Sequence, residues 1–153
     1  MLDTGSKVPA LSGTSTDGTS LALSTLKGKW VVVYFYPKDS TPACTTEAQD
    51  FRDLHAQFAA RNAVVIGVSR DSTRSHANFT AKQQLPFALI ADTDEAWCKA
   101  FDVIHEKVLY GRRYLGIVRS TFLIGPDGRI SRRWSPVKVA GHAAEVLASI
   151  PDA

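Results

Sequence analysis

Cys44 closes the segment Pro37-Lys38-Asp39-Ser40-Thr41-Pro42-Ala43-Cys44, and the order of residue types there is a setting for thiolate chemistry. An apolar, aromatic run from Trp30 to Tyr36 precedes it. A stretch with helical apolar spacing, residues 45–60, follows it. The thiol thus stands where a strand hands over to a helix. Backbone N–H groups at a helix start lack intrahelical partners and favour negative charge. With a cationic partner, such surroundings move a thiol pKa from about 8.5 to about 3.5–7.5. Thr41 lies in the turn entering the helix. Its hydroxyl can accept a hydrogen bond from a protonated substrate and donate one to the thiolate. Pro37 and Pro42 stiffen the loop and remove competing backbone donors. Pro37 can also shield the sulfur from water. The plainer reading of Cys44 is an inert packing cysteine, since free cysteine is often buried. The Pro-Ala turn before it, in place of an apolar stripe, favours the reactive reading.

The elements that must hold this loop follow from periodicity. Residues 29–36 form a β-branched and aromatic run and read as a buried strand that Pro37 ends. Ala48, Phe51, Leu54, His55 and Phe58 recur at helical spacing. Residues 63–69 read as a second buried strand, and residues 73–84 as a helix capped by Asp71 or Ser72. A short strand is expected at residues 87–90. Asp92 or Thr93 can then cap a short helix carrying Trp97 and Cys98. Residues 120–124 and 129–134 flank Gly125-Pro126-Asp127-Gly128, which predicts a hairpin. Residues 140–150 close the chain as a helix. The polar stretch Ser12 to Ser20 is short enough for a hairpin turn. Together these elements predict an α/β fold, a mixed sheet with helices on both faces.

The totals bound the class. The length of 153 residues suits one domain, expected to span residues 1–153. No apolar run approaches the roughly 20 residues of a membrane span. The N-terminus lacks a basic segment followed by an apolar one, so no signal peptide is expected. Two cysteines suit a reducing compartment, and the expectation is a cytoplasmic protein without a membrane partner. The net charge of +3 is mild but uneven. Between Lys107 and Lys138 eight basic residues stand against one acid, Asp127. Such a strip can attract nucleic acid or an acidic protein, but reads first as a solvated face. No nucleic-acid-binding motif accompanies it, and no nucleic-acid partner is expected. The four histidines are too dispersed for a local metal motif, so neither metal nor cofactor is expected. Glu47 stands where a Cys-x-x-Cys pair would need its second thiol, which argues against a disulfide reductase.

The run VVVYFYPKDSTPACTTEAQDFRD resembles the active-site signature of the peroxiredoxins, Pro-x-x-x-Thr-x-x-Cys. Its surrounding words are similar to the bacterioferritin comigratory protein (PrxQ) subfamily. The likeness continues through Phe101 to Ile104, Tyr110-Gly111-Arg112, Arg119 to Ile124 and the Pro-Asp-Gly turn, and so covers nearly the whole chain. The resemblance implies a thioredoxin-like fold with an N-terminal β-hairpin extension, and a thiol-dependent peroxidase. It implies that Cys44 attacks hydrogen peroxide or an organic hydroperoxide and becomes a sulfenic acid. Thr41 maps onto the peroxide-positioning threonine, Pro37 onto the shielding proline, and Arg119 onto the arginine that stabilises thiolate and transition state. Fixed donors aimed at the leaving oxygen suit that role. Glu47 matches the word Cys-Thr-Thr-Glu and can order the loop. The resemblance also implies a monomer.

The chain departs from the family where the sulfenic acid must be reduced. Relatives carry a second, resolving cysteine five residues after the first, here Gln49, or in the next helix, near Thr80. Ala43 replaces the glycine usual before the reactive cysteine. Cys98 is the one other thiol. It reads either as a packing cysteine beside Trp97, Ala100 and Phe101, or as a resolving thiol. The latter requires the two Cα atoms within roughly 7 Å and local unwinding of the Cys44 helix. If Cys98 is inert, an external thiol (glutathione, glutaredoxin or thioredoxin) reduces Cys44 through a mixed disulfide. Two other readings use the same residues: a redox sensor or thiol relay that oxidises a partner, and a non-catalytic binding module.

Overall fold

The computed structural model describes residues 1–152. Its centre is a five-stranded sheet in the order β5-β4-β3-β8-β9, built from β3 (Trp30–Phe35), β4 (Ala63–Ser69), β5 (Ala88–Ala91), β8 (Ser120–Ile124) and β9 (Ile130–Trp134). Strand β3 pairs parallel with β4, and β4 with β5. On its other side β3 pairs antiparallel with β8, and β8 with β9. The mixed sheet expected from the sequence is therefore present. The Gly125–Gly128 turn joins β8 to β9 as its composition predicts.

The side chains of β3 alternate between two cores. Val32, Tyr34 and Tyr36 enter one, with Cys44, Ala48, Phe51, Phe58, Phe79 and Val146. Val31, Val33 and Phe35 enter the other, with Trp97, Cys98, Phe101 and Ile117. The first face is covered by α1 (Pro42–Asp53), α2 (His55–Ala60), α3 (Thr73–Gln83) and α5 (His142–Ala148). The second is covered by α4 (Ala96–Phe101) and the N-terminal segment. That segment carries the expected hairpin, β1 (Ser12–Thr14) with β2 (Ser20–Ala22), and a 3-10 turn at Leu23–Leu26. Burying side chains on both faces of one strand is worth about 1.5–3 kcal/mol each for the large apolar residues. Gly67 opposes Tyr34 across the β3–β4 pair, and a Cβ there would stand 2.9 Å from the Tyr34 ring. The missing side chain lets that ring lie over β4 and stack on Phe51, with centroids 4.7 Å apart.

Three expectations are corrected. The helix expected over residues 45–60 starts earlier and is broken. Thr41 is an extended N-cap, Pro42 opens α1, and Leu54 separates α1 from α2. Proline's preset φ and absent N–H suit a first helical position. The last helix is shorter than residues 140–150. Residues 104–117, for which the sequence reading expects no element, form a separate hairpin of β6 (Ile104–Leu109) and β7 (Arg112–Ile117). Their alternation is masked because polar and apolar residues occupy both faces.

Candidate active site

Parallel strands β3, β4 and β5 all end at the edge where Pro37 begins, the usual place for a ligand on an open α/β sheet. Cys44 lies in the first turn of α1 and is 2% exposed. Arg119, in the link between β7 and β8, is brought to it although the two are far apart in sequence. Its Nη2 donates to Cys44 Sγ over 3.2 Å. Its Nη1 donates to Glu47 Oε1 over 2.6 Å. One turn of α1 separates Cys44 from Glu47, so both face the same guanidinium. That fork holds a cation against the sulfur, and a bidentate guanidinium is well suited to fixing two acceptors at once.

Glu47 is 1% exposed, and its Oε2 is buried without a partner. Burial pushes its carboxyl up to about 7, against the pull of Arg119. Glu47, Cys44 and the electrostatics of burial also keep the Tyr34 phenol well above its ordinary pKa, burial first. Tyr34 thus remains a neutral floor beneath α1.

Thr41 Oγ1 donates to the Lys38 carbonyl over 2.8 Å. Its proton is committed to the turn, so its lone pairs remain to accept from a substrate O–H. This differs from the donation to sulfur expected from sequence. Pro37 ends β3 and is half-buried. Ala43 sits on helical backbone, where alanine is favoured over glycine.

A polar cluster that the sequence did not signal fastens the loop. Asp39 is buried and accepts from Tyr36 Oη over 2.6 Å and from Ser75 Oγ over 2.8 Å. Its Oδ2 lies 2.7 Å from His76 Nδ1, and His76 Nε2 donates to the Ile90 carbonyl over 3.0 Å. Asp71 accepts the Asp39 backbone N–H over 2.9 Å. The loop is thereby tied to the ends of β4, β5 and α3. It carries Ser40 at a φ of +64°, a left-handed conformation costly for a side-chain-bearing residue. Asp39, Asp71 and His76 could offer oxygen and nitrogen to a metal ion. Every one of them is already engaged by a protein partner. The spacing Ser72-x-x-Ser75-His76 carried no signal without its contact to Asp39.

Cys98 belongs to the opposite core. It is fully buried in α4, and its backbone N–H donates to Asp92 over 2.8 Å. Burial, then Asp92, pushes its thiol far above the ordinary value. The sheet separates Cys98 from Cys44. Gln49 Nε2 donates to Gln83 Oε1 over 2.9 Å, joining α1 to α3. Thr80, also on α3, has a buried hydroxyl without a partner.

The AhpC/TSA family model matches residues 4–133. The chain belongs to the AhpC/TSA family. Peroxiredoxin Bcp of Xanthomonas campestris pv. campestris is 56% identical over 133 residues, 87% of this chain and 83% of that one. A structure of the X. campestris bacterioferritin comigratory protein, described for alkyl peroxide reduction, superposes with a TM-score of 0.87 at 53% identity. It covers 91% of this chain and 88% of that one. A variant of Xylella fastidiosa PrxQ reaches a TM-score of 0.93 at 47% identity, covering 97% and 94%. A yeast mitochondrial 1-Cys peroxiredoxin, described as resolved via glutathione/thioredoxin systems, reaches 0.81 at 26% identity, covering 96% and 74%. This peroxiredoxin is a thiol-dependent peroxidase of the Bcp/PrxQ branch, with the thioredoxin-like fold of its neighbours. Two further X. campestris structures replace one cysteine each, at positions separated by the same interval as Cys44 and Thr80. No helix among the described residues is long and apolar enough to cross a membrane.

Proposed function

We propose that Cys44 is the peroxidatic cysteine of a one-cysteine peroxiredoxin acting on hydrogen peroxide and organic hydroperoxides. The observation that carries this reading is the Arg119 guanidinium, 3.2 Å from Sγ and fixed by Glu47. The Cys44 thiolate attacks the terminal peroxide oxygen. An S–O bond forms as the O–O bond breaks. The sulfur retains the hydroxyl as a sulfenic acid, and the leaving oxygen takes a proton to become water or an alcohol. Thr41 accepts from the peroxide O–H. Arg119 donates to the oxygens on which charge grows, where a fixed donor is worth about 3–4 kcal/mol. Pro37 and the Asp39 ties keep the loop closed around the sulfur.

An external thiol then attacks the sulfenic sulfur, releasing water and leaving a mixed disulfide that a second thiol reduces. Three placements support this route. Cys98 lies beyond the sheet, and bringing it to Cys44 would require opening both cores. Gln49 and Thr80 occupy the positions where relatives carry a resolving cysteine. The yeast relative described as 1-Cys offers a precedent for glutathione or thioredoxin as reductant.

The test is stoichiometric oxidation by peroxide of wild type, Cys98→Ser and Cys44→Ser, read by intact mass and thiol titration. The expected product in the first two proteins is a sulfenic acid, trapped by dimedone, with one thiol lost. Loss of two hydrogens in wild type but not in Cys98→Ser would overturn the one-cysteine route. An unreactive Cys44 in both would overturn the peroxidatic assignment.

A further inference from the structure

The large exposed apolar side chains of the described residues are confined to one element. Val108 (64% exposed), Leu109 (55%), Tyr110 (95%), Tyr114 (45%) and Leu115 (66%) all lie on the β6–β7 hairpin. Leu109 and Tyr114 share one face of the hairpin, Val108 and Leu115 the other, with Tyr110 in the turn between the strands. Scattered exposed apolar residues need no explanation, but such a concentration on one short element marks an interaction surface. The cross-strand pairs Lys107–Tyr114 and Leu109–Arg112 place two cations, an aromatic ring and a leucine on one face, with no acid among them. The single acid of the two strands, Glu106, lies on the other face and pairs with Arg113. Leu109, Tyr110, Arg112, Arg113 and Tyr114 line a shallow groove. Tyrosine and arginine around an apolar centre are the residues that dominate binding energy in protein interfaces.

The hairpin is continuous with the active site. Strand β7 ends at Ile117, two residues before Arg119. At the root of the hairpin, the Lys107 ammonium donates to the Ile117 carbonyl. A protein seated on the basic face therefore reaches, at the root of the hairpin, the link that carries Arg119.

We propose that the β6–β7 hairpin is the docking surface for a dithiol protein that re-reduces Cys44, one that presents acidic side chains around an apolar centre beside its own thiol. The proposal rests on the external-reductant reading above. Charge complementarity selects this occupant, because the face offers cations and apolar area but no acid. The partner's first thiol displaces water from the Cys44 sulfenic acid to form a mixed disulfide. Its second thiol then releases reduced Cys44 and leaves the partner with an intramolecular disulfide.

The experiment compares wild type, Arg112→Glu, Leu109→Ser and the control Lys27→Glu, which makes the same charge change before β3, at the far end of that strand. Each protein is turned over with hydrogen peroxide and either dithiothreitol, thioredoxin or glutaredoxin. The expected result is a rise of about tenfold or more in KM for the protein reductant in Arg112→Glu and Leu109→Ser. Lys27→Glu keeps the wild-type KM. The wild-type KM rises with salt, and that dependence weakens in Arg112→Glu. Stoichiometric oxidation by peroxide and turnover with neutral dithiothreitol remain at wild-type values, which separates docking from a folding defect. Unchanged KM in both hairpin variants would overturn the proposal. So would wild-type turnover with dithiothreitol but with neither protein, an outcome that leaves the peroxidase reading intact. A shift of the wild type from dimer to monomer in Leu109→Ser, without an effect on KM, would assign the patch to a second copy and overturn it equally.

Discussion

Replacing Glu47 with glutamine tests whether burial or Arg119 governs this carboxyl. Glu47 is almost fully buried, with Oε1 on Arg119 and Oε2 unpartnered. Burial raises its pKa from 4.5 to about 7. A carboxyl raised in the folded state contributes stability that is complete below the unfolded value of 4.5 and is lost as pH rises through about 7. That interval, at 1.36 kcal/mol per pH unit, amounts to about 3 kcal/mol between acid and alkaline conditions. Glu47→Gln keeps the shape and an oxygen for Arg119 but removes the titration. Urea unfolding of the pair at pH 4.5, 7 and 9, in a Cys44→Ser background so that this thiol does not titrate, isolates the effect. The stability of Glu47→Gln relative to its parent should climb by about 3 kcal/mol across that range. A difference flat with pH would mean that Glu47 has the same pKa folded and unfolded. A difference that falls with pH would mean that Arg119 holds the carboxylate below 4.5, and would refute the primacy of burial.

Other outcomes follow from the same geometry. Arg119→Met should slow oxidation of Cys44 by peroxide about 100- to 1,000-fold, measured by stopped-flow tryptophan fluorescence, while Arg112→Met leaves it unchanged. His76→Leu removes a ring that ties Asp39 to the end of β5, and should cost about 3 kcal/mol in urea unfolding. It should also raise amide exchange at Ser40 and Thr41, since the loop loses a fastening. Thr80→Cys should convert the enzyme to a two-cysteine route, with peroxide treatment removing two hydrogens and leaving no dimedone adduct at Cys44. Persistence of the adduct would show that α1 and α3 do not open far enough.

The chain's order of residue types alone determines the local frame. The apolar run before Pro37, the proline at the helix start and the Pro-Asp-Gly turn specify strand, loop, helix and hairpin, because each depends on contacts within a few residues. Thr41 and Cys44 were legible for that reason, one turn apart at a helix start. Arg119 and Glu47 were legible only through resemblance, since nothing local says that a residue after β7 meets one in α1. The run Trp30 to Tyr36 is apolar throughout, so its sequence could not tell which side chains share a face with Cys44. The pairing of β3 with β4 and β8 decides that, and with it which core holds Cys98. Asp39 and His76 were equally silent, because a buried hydrogen bond between a loop and a distant helix leaves no periodicity in either. The tertiary structure alone sets the guanidinium against the sulfur, buries the carboxyl that steadies it, and gathers the exposed apolar side chains on the one hairpin that leads into Arg119. These are long-range juxtapositions, and only the closing of the sheet brings them about.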